Sequence, residues 1–160
     1  MQRLLSRKTN QFIAAYFLKT FAVSLIPTVT LALAAAHFFS GQSPSPYLAG
    51  DESIKAFWQL ISIGLIIPAI ESLFLIYTTS LAFDAAKNHT RSALIGTIPL
   101  LIFHSLLQWQ LGLVLAWFFF VQAYAYIELK KCQLSLRDRY FFITGIHGLH
   151  NSLAVLGLWL

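Results

Sequence analysis

The chain has 160 residues, of which 58% are apolar and only 11% are charged, and its mean hydropathy is +0.69. A soluble domain carries about a quarter charged residues, so this composition excludes a water-exposed globule and favours a surface in contact with lipid. The net charge of +5 does not indicate nucleic-acid binding, because the basic residues lie between apolar runs and form no continuous soluble face.

The first apolar segment, residues 11–39, is the first of five predicted membrane helices. Arg3, Arg7 and Lys8 precede it, and the three alanines at 34–36 are typical of a signal-peptide cleavage site. However, the apolar run is much longer than the hydrophobic region of about 7–15 residues found in signal peptides. We therefore expect a first helix that is retained.

Four further apolar segments follow, and polar or charged connections separate them. They cover residues 54–83, 92–107, 111–129 and 140–160. A spanning helix needs about 20 apolar residues, which each segment approaches or exceeds. The sequence therefore predicts an all-α, polytopic transmembrane helix bundle of about five spans, organised as a single membrane domain over residues 1–160.

The distribution of Lys and Arg predicts an N-in/C-out orientation. If the N-terminus is cytoplasmic, only Lys55 among the 11 basic residues lies on the outer side. The positive-inside rule favours this arrangement, which needs an odd number of spans. Cys132, the only cysteine, then falls in an inner loop, where we expect a free reduced thiol.

Polar residues within the apolar segments are the candidates for function. Glu71 is the only acid deep inside a segment, and four further polar residues lie in the third and fifth segments: His104, His147, His150 and Asn151. An ionisable group at the bilayer centre costs about 2.5–3.5 kcal/mol on insertion scales, whereas an interhelical hydrogen bond contributes less than about 2 kcal/mol. The set as a whole therefore favours a functional site over structural hydrogen bonding.

The depths of these residues predict that they meet. Counted from the inner ends of their segments, Glu71, His104 and His147 lie roughly 12–20 Å deep, at about 1.5 Å per residue. We expect a shared site near the midplane, slightly toward the cytoplasmic side. Pro68 lies one turn before Glu71 and removes a helical hydrogen bond to the carbonyl of Gly64. A freed carbonyl at this depth is tolerated where it is buried in protein or lines a wet cavity, so the proline favours a cavity here over a simple helix kink.

The types of residue in this set indicate hydrolysis. A glutamate and a histidine on different helices can hold and deprotonate a water molecule. His147 and Asn151 are four residues apart, so they share a helix face and can donate to one developing oxyanion. No buried serine has the partners of a triad, and Cys132 has no adjacent base. The set predicts direct attack of water on an amide carbonyl.

Three short elements, in this order, resemble the CAAX-protease and bacteriocin-processing family of glutamic intramembrane proteases. That family carries Glu-Glu-x-x-x-Arg, Phe-x-x-x-His and His-x-x-x-Asn/Asp elements on membrane helices. The corresponding stretches here are residues 71–76 (ESLFLI), 100–104 (LLIFH) and 147–151 (HGLHN). The family's second glutamate, its arginine and its phenylalanine are replaced by Ser72, Ile76 and Leu100. The chain resembles a divergent, compact member.

The resemblance implies roles for individual residues. Glu71 would be the general base that activates water, with His104 as its partner. His147 and Asn151 would stabilise the oxyanion. Three neighbouring polar residues would support them: Ser72, Thr144 and His150. The resemblance also implies catalysis without a metal cofactor, a protein or peptide substrate at the membrane, and a bacterial inner membrane as the location.

Two classes of alternative remain. Glu71 and three histidines could bind zinc in a membrane hydrolase, although the sequence has no His-Glu-x-x-His element. Alternatively, the chain is not catalytic. It would then be an inactive relative of the proteases, or a haem-binding membrane protein with His104 and His147 as axial ligands.

Overall fold

The computed structural model describes residues 2–38, 58 and 60–156, and the regular structure in this part of the chain is helical throughout. The elements are α1 at Gln2–Phe38, a π-helix at Ser62–Ile66, α2 at Ile67–Ala86, α3 at His89–Leu107, α4 at Trp109–Lys131 and α5 at Leu136–Val155. The predicted all-α class is confirmed. Predicted segment ends that fall on residues 39, 54–57 and 157–160 lie outside the described residues.

Capping side chains explain why two helices begin earlier than their predicted segments. Asn88 accepts a hydrogen bond from the Arg91 amide at 3.0 Å, so α3 begins three residues before the predicted start. Ser135 accepts one from the Asp138 amide at 3.1 Å, and α5 begins four residues early. Between α3 and α4 the only break is Gln108, which has an extended backbone.

Four helices are long and apolar enough to cross a membrane, so the chain is an integral membrane protein of the helical type. They are Gln11–Ala35 within α1, Ser62–Ala86 (the π-helix with α2), His89–Leu107 and Trp109–Lys131. The fifth helix, α5, is more polar, because its first turn carries Arg137, Asp138 and Arg139 and its middle carries the predicted site residues. A fifth span, and with it the N-in/C-out orientation, stays a prediction.

α4 is the central helix of the bundle. Its apolar stretch is 61% buried, compared with 17–39% for the other three candidate spans, and it contacts α1, α2, α3 and α5. α2 packs against both α3 and α5, whereas α3 and α5 do not contact each other in the described part of the chain. Side chains from α3 and α5 can therefore reach α2 from two sides.

Gly96 permits the close packing of α2 against α3 at a point about two turns from the site. A Cβ at this position would lie 2.6 Å from the Cα of Thr79, which is closer than a side chain can approach a backbone. The hydroxyl of Thr78 donates to the carbonyl oxygen of Gly96 at 2.7 Å. These contacts fix α3 against α2 about two turns before His104.

Candidate functional site

Glu71 of α2 lies between two imidazoles that come from different helices. Its Oε1 is 3.2 Å from Nε2 of His104 on α3, and its Oε2 is 3.1 Å from Nε2 of His147 on α5. Each carboxylate oxygen therefore has one imidazole beside it. The structure brings together three of the four residues that the sequence predicts to be catalytic.

The buried faces of α2 and α5 explain this convergence. On α2, the buried residues Pro68, Glu71, Ser72 and Leu75 recur at helical spacing and face the bundle. On α5, His147 belongs to a buried stripe of the same kind. Because the opposite sides of these helices are apolar and exposed, as lipid requires, the polar side chains point inward.

Two phenylalanines of α4 close the site on the core side. Phe119 stacks on His104 with ring centroids 5.3 Å apart, and it meets His147 edge-on at 5.5 Å. Phe118 also meets His147 edge-on, at 5.0 Å. The side chains of Glu71, His104 and His147 are only 11%, 13% and 3% exposed. Charge interactions within this pocket therefore act at a low effective dielectric constant.

His104 places the site near one end of α3. Glu71 is 15 residues before the end of α2. His104 is only three residues before the end of α3. The expected depth near the midplane, slightly toward the cytoplasmic side, stays a prediction, because it depends on where the membrane lies along these helices. The site is next to the α3–α4 turn, which would be the outer end in the predicted orientation.

A π-helix lies just before Pro68. Its hydrogen-bond register determines which carbonyl oxygen lacks a donor because proline has no N–H. The amide of Ile67 donates to the carbonyl oxygen of Ser62, five residues earlier. In this register, the next donor along the chain would be residue 68 and its acceptor would be Ile63. Because proline has no N–H, the carbonyl of Ile63 loses its helical partner. The sequence, interpreted in the α register, assigned this effect to Gly64.

Asn151, the fourth predicted catalytic residue, binds this freed carbonyl. Its side-chain Nδ2 donates to the carbonyl oxygen of Ile63 at 3.0 Å. Asn151 lies one turn after His147 on α5, as the spacing predicts. Its observed partner is therefore the backbone of the π-helix, whereas the sequence predicts the oxyanion of a substrate.

The three residues predicted to support the site have different surroundings. Ser72 is fully buried beside Glu71, and its hydroxyl makes no hydrogen bond within the described part of the chain. Thr144 is half-buried, and its hydroxyl is likewise without a hydrogen bond there. His150 is 1% exposed and packs between Phe118 and Phe21, with ring centroids 4.3 and 5.7 Å away. It therefore belongs to the contact between α1, α4 and α5.

α4 contributes residues to the site that were not predicted from the sequence. Phe118 and Phe119 orient both imidazoles, and Gln122, one turn further on, is fully buried with neither amide atom hydrogen-bonded to any described residue. A glutamine inside an apolar segment is a polar residue at membrane depth, so the criterion that singled out Glu71 would also have found Gln122.

No group of three or more His, Cys, Asp and Glu side chains among residues 11–35, 37–38, 58 and 60–156 is arranged to hold a metal ion. The Nε2 atoms of His104 and His147 lie against the carboxylate oxygens of Glu71, and His150 packs between phenylalanine rings. The zinc site stays an alternative hypothesis that a metal analysis tests.

Comparison with protein-family models, with curated proteins and with solved structures finds no match for this chain. Function is therefore inferred from the site itself and from the resemblance of its three sequence elements to the glutamic intramembrane proteases.

Proposed function

We propose that this chain is a glutamic-type intramembrane endopeptidase of a bacterial inner membrane. Its substrate would be a membrane-associated protein or one that carries a leader or sorting signal. The observation that supports the proposal is the carboxylate of Glu71, held between the imidazoles of His104 and His147 in an apolar and largely buried setting. The three sequence elements supply the reaction type.

In the proposed reaction, water enters on the His104 side of the carboxylate. His104 has the most exposed of the three side chains, but its Nε2 is itself buried and makes no aligned hydrogen bond to a described residue, although Oε1 is 3.2 Å away, so a water molecule that inserts here must move the two atoms apart. A water molecule bound here accepts from or donates to His104 and donates to Glu71. Glu71 takes a proton from the water as the water oxygen bonds to the carbonyl carbon of the substrate.

His147 has one nitrogen left for the carbonyl oxygen of the substrate. Its Nε2 faces Glu71, whereas its Nδ1 is buried and has no hydrogen-bond partner within the described residues. When Nδ1 carries a proton, it can donate to the oxyanion of the tetrahedral intermediate. The proton held by Glu71 then passes to the amide nitrogen as the C–N bond breaks, which restores the carboxylate.

The position of the site suggests where a substrate would be cut. His104 lies one turn before the α3–α4 turn, and α3 and α5 flank α2 without contacting each other in the part of the chain described. A segment that enters between α3 and α5 meets Glu71 near this end of the bundle. We therefore propose a scissile bond close to one membrane face, which the predicted orientation makes the outer face.

A second candidate function is a polar clasp without catalysis. Both oxygens of Glu71 already have an imidazole within 3.2 Å, so the carboxylate links α2, α3 and α5. In this case the three side chains stabilise the bundle, and the chain is an inactive relative of the proteases. Cleavage and stability must therefore be measured on the same variants.

The experiment compares Glu71→Gln with the wild-type chain. Membranes from cells expressing each are analysed by mass spectrometry of protein N-termini. We expect new N-termini that depend on the wild-type chain and disappear with Glu71→Gln, because glutamine keeps the shape and removes the base. Glu128→Gln is the matched control. Glu128 lies at the end of α4 that is far from the site, where its Oε1 is 2.8 Å from Nζ of Lys131. The same new N-termini with Glu71→Gln would overturn the proposal, and their absence with the wild-type chain would favour the clasp.

A further inference from the structure

Asn151 and Pro68 form a complementary pair across the interface between α5 and the π-helix. Pro68 cannot donate to the carbonyl of Ile63, and Asn151 supplies the missing donor from α5 at 3.0 Å. A carbonyl without a partner is costly in lipid, because no water replaces the lost hydrogen bond. The side chain of Asn151 therefore compensates for a defect that Pro68 creates.

Two further contacts bring the backbones together at the same place. A Cβ on Gly148 would lie 2.7 Å from the carbonyl oxygen of Gly64, so α5 approaches the π-helix as closely as a glycine allows. A Cβ on Gly64 would in turn lie 2.6 Å from the hydroxyl oxygen of Ser152. Three residues of α5 that follow His147 therefore contact the π-helix, namely Gly148, Asn151 and Ser152.

This contact joins α5, which carries His147, to the π-helix, which continues into α2 and Glu71. The imidazole of His147 and the carboxylate of Glu71 are in turn paired with each other. Pro68 lies three residues before Glu71, and Asn151 lies four residues after His147. Each is about one helical turn from the ionisable residue on its own helix. The spacing of the Glu71 carboxylate from the His147 imidazole thus depends on how closely α5 and the π-helix pack one turn away.

We propose that Asn151 is a positioning residue. By binding the carbonyl of Ile63, it stabilises the π-helix against α5 and thereby sets the distance between Glu71 and His147. This role rests on the proposed peptidase activity for its effect on catalysis. It differs from the oxyanion contact that the sequence elements imply, because Asn151 acts through the backbone and does not need to touch the substrate.

The test is a rescue by Pro68→Ala, which returns an N–H to residue 68. We expect Asn151→Ala to lower kcat/KM by up to about 100-fold, as misplacement of a reacting group by about 1 Å does. In the Pro68→Ala/Asn151→Ala double variant, the new amide can satisfy Ile63, so kcat/KM should recover by at least about tenfold. An oxyanion donor at Asn151 predicts no recovery, because the alanine at position 68 cannot reach the substrate. A double variant no more active than Asn151→Ala therefore overturns the proposal.

Pro99→Ala is the matched control, because Pro99 is also inside a helix, and that helix, α3, does not contact α5, which carries Asn151, in the described part of the chain. It should leave the effect of Asn151→Ala unchanged. The apparent Tm of each variant in detergent gives a readout that does not require activity. We expect the Tm losses from Pro68→Ala and Asn151→Ala to be non-additive by more than about 2 °C, and the Pro99→Ala pair to be additive. If the wild-type chain cleaves nothing, the peptidase proposal fails, and the Tm cycle alone decides whether Asn151 complements Pro68.

Discussion

Replacing Gly148 with alanine tests whether the contact between α5 and the π-helix positions the site. The added Cβ would lie 2.7 Å from the carbonyl oxygen of Gly64, and ordinary contact begins at 3.4 Å. Relief of the overlap therefore moves the two backbones apart by about 0.7 Å, since neither is a flexible side-chain end. His147 is the adjacent residue on α5, so most of this displacement reaches the imidazole, whose Nε2 now lies 3.1 Å from Glu71.

The magnitude follows from comparison with Gly145→Ala on the same helix. A Cβ there would lie 3.3 Å from an edge carbon of the Phe17 ring, which needs to move by only about a tenth of an ångström. Both substitutions gain the same helix propensity, up to about 1 kcal/mol, so this gain cancels in the comparison. The steric overlap between the new Cβ at position 148 and the Gly64 carbonyl oxygen does not cancel. Overpacking of this kind lowers the free energy of unfolding by about 1–3 kcal/mol.

The assay is thermal denaturation of both variants in the same detergent, together with cleavage of a substrate identified from the N-terminal analysis. At about 2–4 °C per kcal/mol, the Tm of Gly148→Ala should lie about 2–12 °C below that of Gly145→Ala. We expect kcat/KM to fall by up to about 100-fold with Gly148→Ala only. If Gly148→Ala were as stable and as active as Gly145→Ala, the contact would not control the site.

Three further predictions concern the orientation in the membrane, the effect of Glu71 on stability, and the presence of a cofactor. Cys132 is exposed and is the only cysteine, so a membrane-impermeant maleimide should not label it in intact cells if the inner loop is cytoplasmic. Leu107→Cys in a Cys132→Ser background should be labelled, and the opposite pattern would reverse the orientation. Glu71→Gln should lower the Tm by no more than a few °C if the site is catalytic, whereas a loss exceeding that of Glu128→Gln by about 10 °C favours the clasp. Metal analysis and an optical spectrum of the purified protein should show neither stoichiometric zinc nor a Soret band, and stoichiometric zinc lost together with activity would favour the zinc hydrolase.

The convergence of Glu71, His104 and His147 could be predicted because lipid constrains polar side chains so strongly. A helix in a bilayer can bury an ionisable group only against other helices or in a wet cavity. Once three apolar segments each carry such a residue, the inward face of each helix is known without coordinates. The apolar lengths were equally informative, since four of the predicted segments each correspond to one helix and the second corresponds to the π-helix with α2.

The helix ends could not be predicted in the same way, because hydropathy locates apolar stretches and not the residues at which helices begin and end. Asn88 and Ser135 begin α3 and α5 ahead of the apolar residues through side-chain caps. The α2 helix continues to Ala86, beyond the last residue of the predicted segment. These extensions all occur at the same end of the bundle, so distances counted from the segment edges are shorter than the distances of Glu71, His104 and His147 from that end of their helices.

The role of Asn151 shows what a spacing pattern leaves open. A separation of four positions gives His147 and Asn151 a common helix face, and in the structure both reach the segment that contains the π-helix and α2. The pattern does not fix the partner, because His147 reaches a carboxylate of α2 while Asn151 reaches the backbone one turn earlier, at Ile63. The partner depends on the π-helix, because its i→i+5 register makes Ile63 an acceptor that Pro68 cannot serve. A proline one turn before the glutamate therefore creates a need for a donor on the helix that carries the second histidine. That need alone is enough to explain an asparagine four residues after His147, with or without an oxyanion to bind.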